Sequence, residues 1–186
     1  NLSGRNWTSV GVAGETAYPI IDPRGLVMPF WDSWSIDSWV LSEDGRLLAP
    51  SRSNNVKQKM SIRDNISIVT ESELEEMSLS NETKLEKADG KLTCVTELTG
   101  ESNAGGWLVV SLRPYNPEGI SFIHEVSYDT KNHSWMINDK HGVYLNEKPD
   151  KHLFSDYVNG DVSLRLLSGR DSRSDITCKV GMATAA

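Results

Sequence analysis

The sequence predicts an all-β fold, an antiparallel β-sandwich. Apolar residues recur with period two along most of the chain, and the helical period of 3.6 is almost absent. The periodic runs are short and are separated by polar turns containing Gly, Asp or Asn, which is how sandwich sequences read. With 186 residues, 38% of them hydrophobic, the chain can bury a core as one domain without staples.

Residues 1–55 are rich in Gly, Pro and Trp with weak periodicity, and are expected to wrap the sandwich or form an edge. Within them "DPRG", Asp22 to Gly25, is a turn, because Pro23 presets φ and Gly25 accepts a positive one. Residues 56–186 are expected to carry the regular antiparallel strands. "QKMSIRDNISIVTE" predicts a hairpin around Asp64-Asn65, and "ETKLEKADGKLTCVTELTG" another around Asp89-Gly90. Between them "ESELEEM", residues 71–77, has some helical character but reads equally as strand or loop. "GGWLVVSLRPYN" predicts an apolar strand ending at Pro114. "GISFIHEVSYD" alternates Ile120, Phe122, His124, Val126 and Tyr128 on one face, and "HSWMINDKHGVYLNEKP" predicts a hairpin turning near Asn138-Asp139. "GDVSLRLLSG" reads as a strand through Val162, Leu164 and Leu166. The last predicted strand is "DITCKVGMATAA", with Ile176, Cys178, Val180 and Met182 alternating. A chain that opens on Asn1 and closes just after a core strand is expected to be a fragment of a longer polypeptide.

The net charge of −7 argues against nucleic acid or an anionic membrane surface as partner, since both require clustered Lys and Arg. Residues 71–101 concentrate eight Glu and Asp89 against three Lys, a solvated strand face. No apolar run approaches ~18 residues, so no membrane-spanning helix is expected; the location is left unknown, with the cytoplasm favoured, since a signal peptide would be lost with a missing N-terminus. Cys94 and Cys178 pair only if the fold brings them together; otherwise they are two small buried apolar residues. No Cys/His metal spacing, HExxH, P-loop, GxGxxG or GxSxG is present, so no metal, cofactor or catalytic residue is assigned. Five N-x-[ST] sequons start at Asn1, Asn6, Asn65, Asn81 and Asn132; they matter only in a secretory pathway.

The densest chemistry lies in Trp31 to Trp39, "WDSWSIDSW". Asp32 and Asp37 could pair as acid and base of a glycosidase, but only at a separation of roughly 5–10 Å that the motif does not set. Trp31, Trp34 and Trp39 could stack on sugar rings, with Asp32, Asp37 and Arg24 as polar contacts and Trp107 or Trp135 as additions. They could equally fill core and a domain interface. In an extended chain Trp31 and Trp39 share a face and Trp34 takes the other, which would leave one face for a partner. The interface reading leads. His124, among apolar neighbours, reads as a satisfied core or interface histidine.

Three stretches taken together resemble one family. "NLSGRNWTSVG" followed by "DPRGLVMPFWDSWSIDSWV", then "SLRPYNPEGISFIHEVSYD" and "HLFSDYVNGDVSLRLL", look like the N-terminal β-supersandwich domain of bacterial glucoamylase-like glycoside hydrolases. The resemblance covers most of the chain. It implies a galactose-mutarotase-like supersandwich paired with a C-terminal (α/α)6 barrel of the same polypeptide, where the catalytic glutamates lie. The chain itself would not be an enzyme; it would brace the barrel and shape its entrance. The alternative is a carbohydrate-binding module that stacks an oligosaccharide on Trp31, Trp34 and Trp39. Further from both stand a mutarotase-like enzyme using His124 with a carboxylate, and an adhesive surface domain. Apolar surface left by a missing partner would favour a homodimer.

Overall fold

The computed structural model describes residues 7–62, 66–167 and 173–186. Five strands open the chain: β1 (Thr8–Ser9), β2 (Ile20–Ile21), β3 (Val27–Met28), β4 (Ser35–Ser42) and β5 (Leu47–Leu48). After a 3₁₀ turn at Pro50–Arg52 comes a meander of β6 (Val56–Ile62), β7 (Ile66–Leu74), β8 (Met77–Ala88) and β9 (Lys91–Ser102). β10 (Gly106–Arg113) leads to the short pair β11 (Tyr115–Asn116) and β12 (Gly119–Ile120), then β13 (Glu125–Asp129), β14 (Ser134–Ile137) and β15 (His141–Tyr144). β16 (Phe154–Ser155), a 3₁₀ helix at Val162–Arg165, β17 (Asp175–Thr177) and β18 (Thr184–Ala185) complete the described elements.

The strands pair antiparallel in an all-β sandwich. The main sheet has the order β1-β2-β3-β4-β10-β18-β16, with β5 also on β4; the meander forms a second sheet, and β15-β14-β13-β17 a third. The largest core lies where these sheets meet. Trp34, Ile36, Leu112 and Phe154 of the main sheet region pack with Ile68 and Leu85 of the meander and with Val126, Trp135 and Ile137 of the third sheet. The other face of the main sheet carries a separate core of Trp39, Leu41 and Val109, covered by Leu153, Val162 and Leu166.

β4 therefore has a covered face on each side, and all eight of its residues are buried. This corrects the expectation that residues 1–55 only wrap or edge the sandwich: they supply a central strand. Its periodicity was weak because a doubly covered strand has no solvent face to mark.

Two predicted hairpins form as expected. Asp89 and Gly90 have φ of 51° and 74°, and Asn138 and Asp139 have 51° and 53°, the left-handed pairs that tight hairpins require. β6 and β7 pair up to Ile62↔Ile66, while the Asp64-Asn65 turn lies outside the described residues. "ESELEEM" is strand, turn and strand, and β10 ends before Pro114.

Three strand expectations are corrected. Around His124 the alternation breaks: Ile120 and Phe122 are exposed, Ile123 is fully buried, and Val126 and Tyr128 face the core. The single bridge Ile123↔Met182 replaces a ladder there, so His124 turns outward. Val162 and Leu166 are buried while Leu164 is exposed, a helical rather than a strand spacing, because Asp161 accepts from Ser163 N and starts a 3₁₀ turn. At the chain's end β17 covers only Asp175–Thr177, and Val180 sits exposed in a turn. Cys94 and Cys178 are free thiols.

β4 and β10 run side by side from Gly106↔Ser42 to Arg113↔Ser35. At the start of β10, Gly106 has φ of 145°, and a Cβ there would stand 2.1 Å from the Leu41 carbonyl oxygen. Gly106→Ala is expected to cost at least about 2 kcal/mol by urea unfolding, because both the dihedral and the strand spacing must give.

Candidate functional site

"WDSWSIDSW" begins as a turn. Ser33 N–H donates to the Phe30 carbonyl at 3.1 Å, Asp32 takes φ of 56°, and Trp31 at the tip is 56% exposed. The chain then enters β4. Trp34 drops into the main core, where Phe30 meets it edge-on at 6.0 Å, and Trp39 enters the opposite core. Both indoles are almost fully buried. The face that parity would have left for a partner is thus covered by residues 153–166 of the same chain. Of the three tryptophans, Trp31 alone has a ring face open to solvent.

Asp37 and Trp39 share one face of β4, opposite Ser111 and Val109 on β10. Beside them the Arg113 guanidinium, from the last residue of β10, reaches across to Asp161. Its Nη1 donates to Asp161 Oδ1 at 3.1 Å and its Nη2 to Oδ2, a bidentate pair. Nε donates to the Tyr115 hydroxyl at 3.2 Å, and the guanidinium stands 5.4 Å from the Trp39 ring and 5.3 Å from the Tyr115 ring. Asp161 also caps the 3₁₀ helix that carries Val162 and Leu166 onto the sheet. Arg113 is therefore the latch that holds this covering segment down. Burial opposes ionisation of Asp161, yet the bonds from Arg113 and Ser163 hold its pKa down to about 2.

Asp37 behaves in the opposite way. Burial pushes its pKa from 3.8 up to about 6, against the weaker pull of the Trp39 indole, the Ser38 N–H and the Arg113 charge. The Trp39 N–H lies close enough to favour the carboxylate but outside good hydrogen-bond geometry. At 3% exposure Asp37 lies in the interior of the sandwich rather than on an open surface.

Among the described residues the Arg24 guanidinium bonds main-chain carbonyls rather than a carboxylate. Its Nη1 donates to the carbonyls of Ser51 and Ser53, each at 2.9 Å, and closes the 3₁₀ turn after β5. The Asp22 carboxylate accepts from Arg24 N and Leu26 N, while Gln58 and Asn81 of the meander reach the carbonyls of Asp22 and Gly25. The turn is thus a polar seam between two sheets. A cavity of about 10 Å³, room for one water, lies there between Arg24, Ser38 and Asn81.

Two surface features remain. Trp31, Ile120, Phe122 and Val180 are each more than half exposed, on the turn before β4, on β12 and the residues after it, and on the turn after β17. Ser121 Oγ donates to the Asp32 carbonyl at 3.4 Å, Phe122 lies over Gly181, and its ring is 5.9 Å from His124. His141 packs on Phe30 at 4.4 Å nearby. The second feature is a polar groove of about 350 Å³ on the meander, lined by Lys57, Glu71, Glu73, Ser80, Thr99 and Glu101. Among the described residues no group of three or more His, Cys, Asp or Glu could hold a metal ion, and no helix is long and apolar enough to cross a membrane.

Sequence reasoning singled out Asp37 but missed its neighbours Arg113, Tyr115 and Asp161. A charged residue at the end of an apolar strand, "WLVVSLR", was the available sign of the first. Asp161, 48 residues further on, left none. Comparison with protein-family models, with curated proteins and with solved structures finds no match.

The two carboxylates predict an unusual pH profile. Folded Asp37 holds a proton that the unfolded chain releases, so its contribution is full below 3.8 and is lost as pH rises through about 6. The contribution of Asp161 runs the other way, present above 3.8 and lost as pH falls towards about 2. The thermal midpoint is expected to rise on acidification from pH ~7 to ~5, and Asp37→Asn to flatten that rise. Arg113→Leu is expected to cost about 2–4 kcal/mol in urea unfolding, since it leaves the buried Asp37 without its nearby cation and the partly exposed Asp161 without its bidentate partner. Asp161→Asn should cost less, because that side chain can turn to water.

Proposed function

We propose that this chain is a non-catalytic β-sandwich module of a glycoside hydrolase, which braces a C-terminal helical-barrel catalytic domain of the same polypeptide and borders its entrance. The observation that carries the reading is the apolar rim of Trp31, Ile120, Phe122 and Val180, gathered from three segments far apart in sequence. Single exposed apolar residues are ordinary, but a cluster with two aromatic rings is the kind of surface that a partner covers. The chemistry-bearing residues of "WDSWSIDSW" support the same reading, since Asp37, Trp34 and Trp39 are committed to the interior. The resemblance to the sandwich domain of glucoamylase-like enzymes names the occupant, a helical barrel.

The test is hydrogen exchange on the full natural polypeptide against residues 1–186 alone. Amides of 30–32, 119–123 and 179–182, several of them already hydrogen-bonded within the sandwich, are expected to exchange more slowly in the longer chain. Equal exchange in both would remove the docking role. Trp31→Ala is expected to leave the stability of the isolated sandwich within about 0.5 kcal/mol and to weaken attachment of the barrel when the two are supplied as separate chains.

A second reading keeps one observation of its own. Trp31 offers an open ring beside the Asp32 carboxylate, a combination that suits a pyranose. Titration with gluco-oligosaccharides, followed by tryptophan fluorescence, separates the two. A saturable change lost in Trp31→Ala would make the rim a sugar platform, and a flat titration leaves it a docking surface.

A further inference from the structure

Asn159-Gly160 is the sequence's one Asn-Gly pair, and it stands in the loop between β16 and the 3₁₀ helix, two residues before the Asp161 that Arg113 holds. We propose that Asn159 is a site of spontaneous covalent modification, converting through a cyclic imide to isoaspartate, and that conversion releases the Arg113–Asp161 latch.

The local geometry suits the reaction. Asn159 is exposed, and its neighbours Tyr157 and Val158 are 70% and 88% exposed, so water and hydroxide reach the loop freely. Gly160 has φ of 80° and no side chain to shield its own nitrogen. Its N–H makes no hydrogen bond among the described residues, while its carbonyl accepts from Ser155 Oγ at 2.6 Å. The nucleophile is therefore unoccupied, and the loop around it is held by groups other than that nitrogen.

Hydroxide removes the Gly160 amide proton, and the nitrogen attacks Asn159 Cγ. A Cγ–N bond forms, the Cγ–Nδ2 bond breaks, and Nδ2 leaves as ammonia after taking up a proton. Water then opens the five-membered imide. Attack at Cγ gives aspartate; attack at the main-chain carbonyl gives isoaspartate, whose backbone runs through Cβ and Cγ and is one methylene longer. Water is the sole co-reactant, and nothing is oxidised or reduced.

The consequences follow from what Asn159 does in the loop. Its N–H and its Nδ2 both donate to Asp156 Oδ1, at 2.9 and 2.8 Å, and Val158 N–H donates to the same oxygen at 3.0 Å. Both products lose the Nδ2 donor to Asp156 and add a carboxylate, at Cγ in aspartate and on Cα in isoaspartate, within the same short loop as the Asp156 carboxylate, so an attraction gives way to a repulsion. The added methylene moves Asp161 relative to a guanidinium whose bidentate bonds tolerate little displacement. Loss of that pair frees the segment that covers Trp39 and Leu41.

The experiment incubates the folded protein at mildly alkaline pH and follows it by peptide mapping with an isoaspartate assay. An Asn159→Gln variant, whose longer side chain disfavours the five-membered ring, is carried in parallel. Isoaspartate is expected to accumulate at Asn159 ahead of every other asparagine. The aged protein should then show a lower thermal midpoint and faster hydrogen exchange over residues 161–166 than the aged variant. If the Asn159 peptide stays intact in the folded protein while a free peptide of residues 156–161 converts, the site is overturned. If isoaspartate forms but midpoint and exchange match those of the variant, the release of the latch is overturned.

Discussion

β4 has to be covered on both faces, and most of the molecule is organised around that requirement. Its even-numbered residues Ile36 and Val40 face the cores shared with the other two sheets, and Trp39 and Leu41 face the core beneath residues 153–166. Four of its eight residues are serines or carry charge, all with exposures of 3% or less. A buried polar group costs on the order of 1–3 kcal/mol when unpaired, so the partners matter as much as the apolar packing. Ser35 Oγ donates to the Tyr115 carbonyl and Ser42 Oγ to Asp44, and Asp37 receives the Ser38 N–H. Arg113, at the far end of the neighbouring strand, supplies the positive charge and ties down the covering segment.

This arrangement separates the interior chemistry from the surface. Titratable groups with shifted behaviour, Asp37, Arg113 and Asp161, act on packing and stability. The exposed aromatic rim lies on segments that those groups do not touch. The meander contributes a third kind of surface, with Glu71, Glu73 and Glu101 turned to water and Lys57 and Lys59 on its edge strand, where charge discourages pairing with another chain.

The sequence was easiest to read where one side of a strand faces water. β8 alternates buried and intermediate residues from Met77 to Glu86, and its apolar and polar residues follow that alternation closely enough to place the hairpin at Asp89-Gly90. β10 announced its own end through Pro114. Reading failed where remote chain decides the environment. Nothing within residues 35–42 indicates that Val162 and Leu166 will cover Trp39, so the segment looked like a wrapping element with one free face. The stretch from Ile120 to Tyr128 has a regular pattern that the backbone does not keep, because the bridge from Ile123 to Met182 resets which residues point inward. The ionic latch was illegible for the same reason: Arg113 and Asp161 are adjacent in space through two intervening sheets' worth of chain.

The pairing of β10 also sets an order of assembly. One neighbour, β4, has already been synthesised when β10 emerges, but the other, β18, pairs through Leu112↔Ala185. At roughly 5–20 residues per second on the ribosome, one edge of β10 waits several seconds for its partner. The meander, built from consecutive hairpins, has no such wait and can be complete by then. During that interval the nascent chain presents an unpaired strand edge in the middle of its largest sheet, the state in which a protein most needs a chaperone to keep neighbours on a polysome apart.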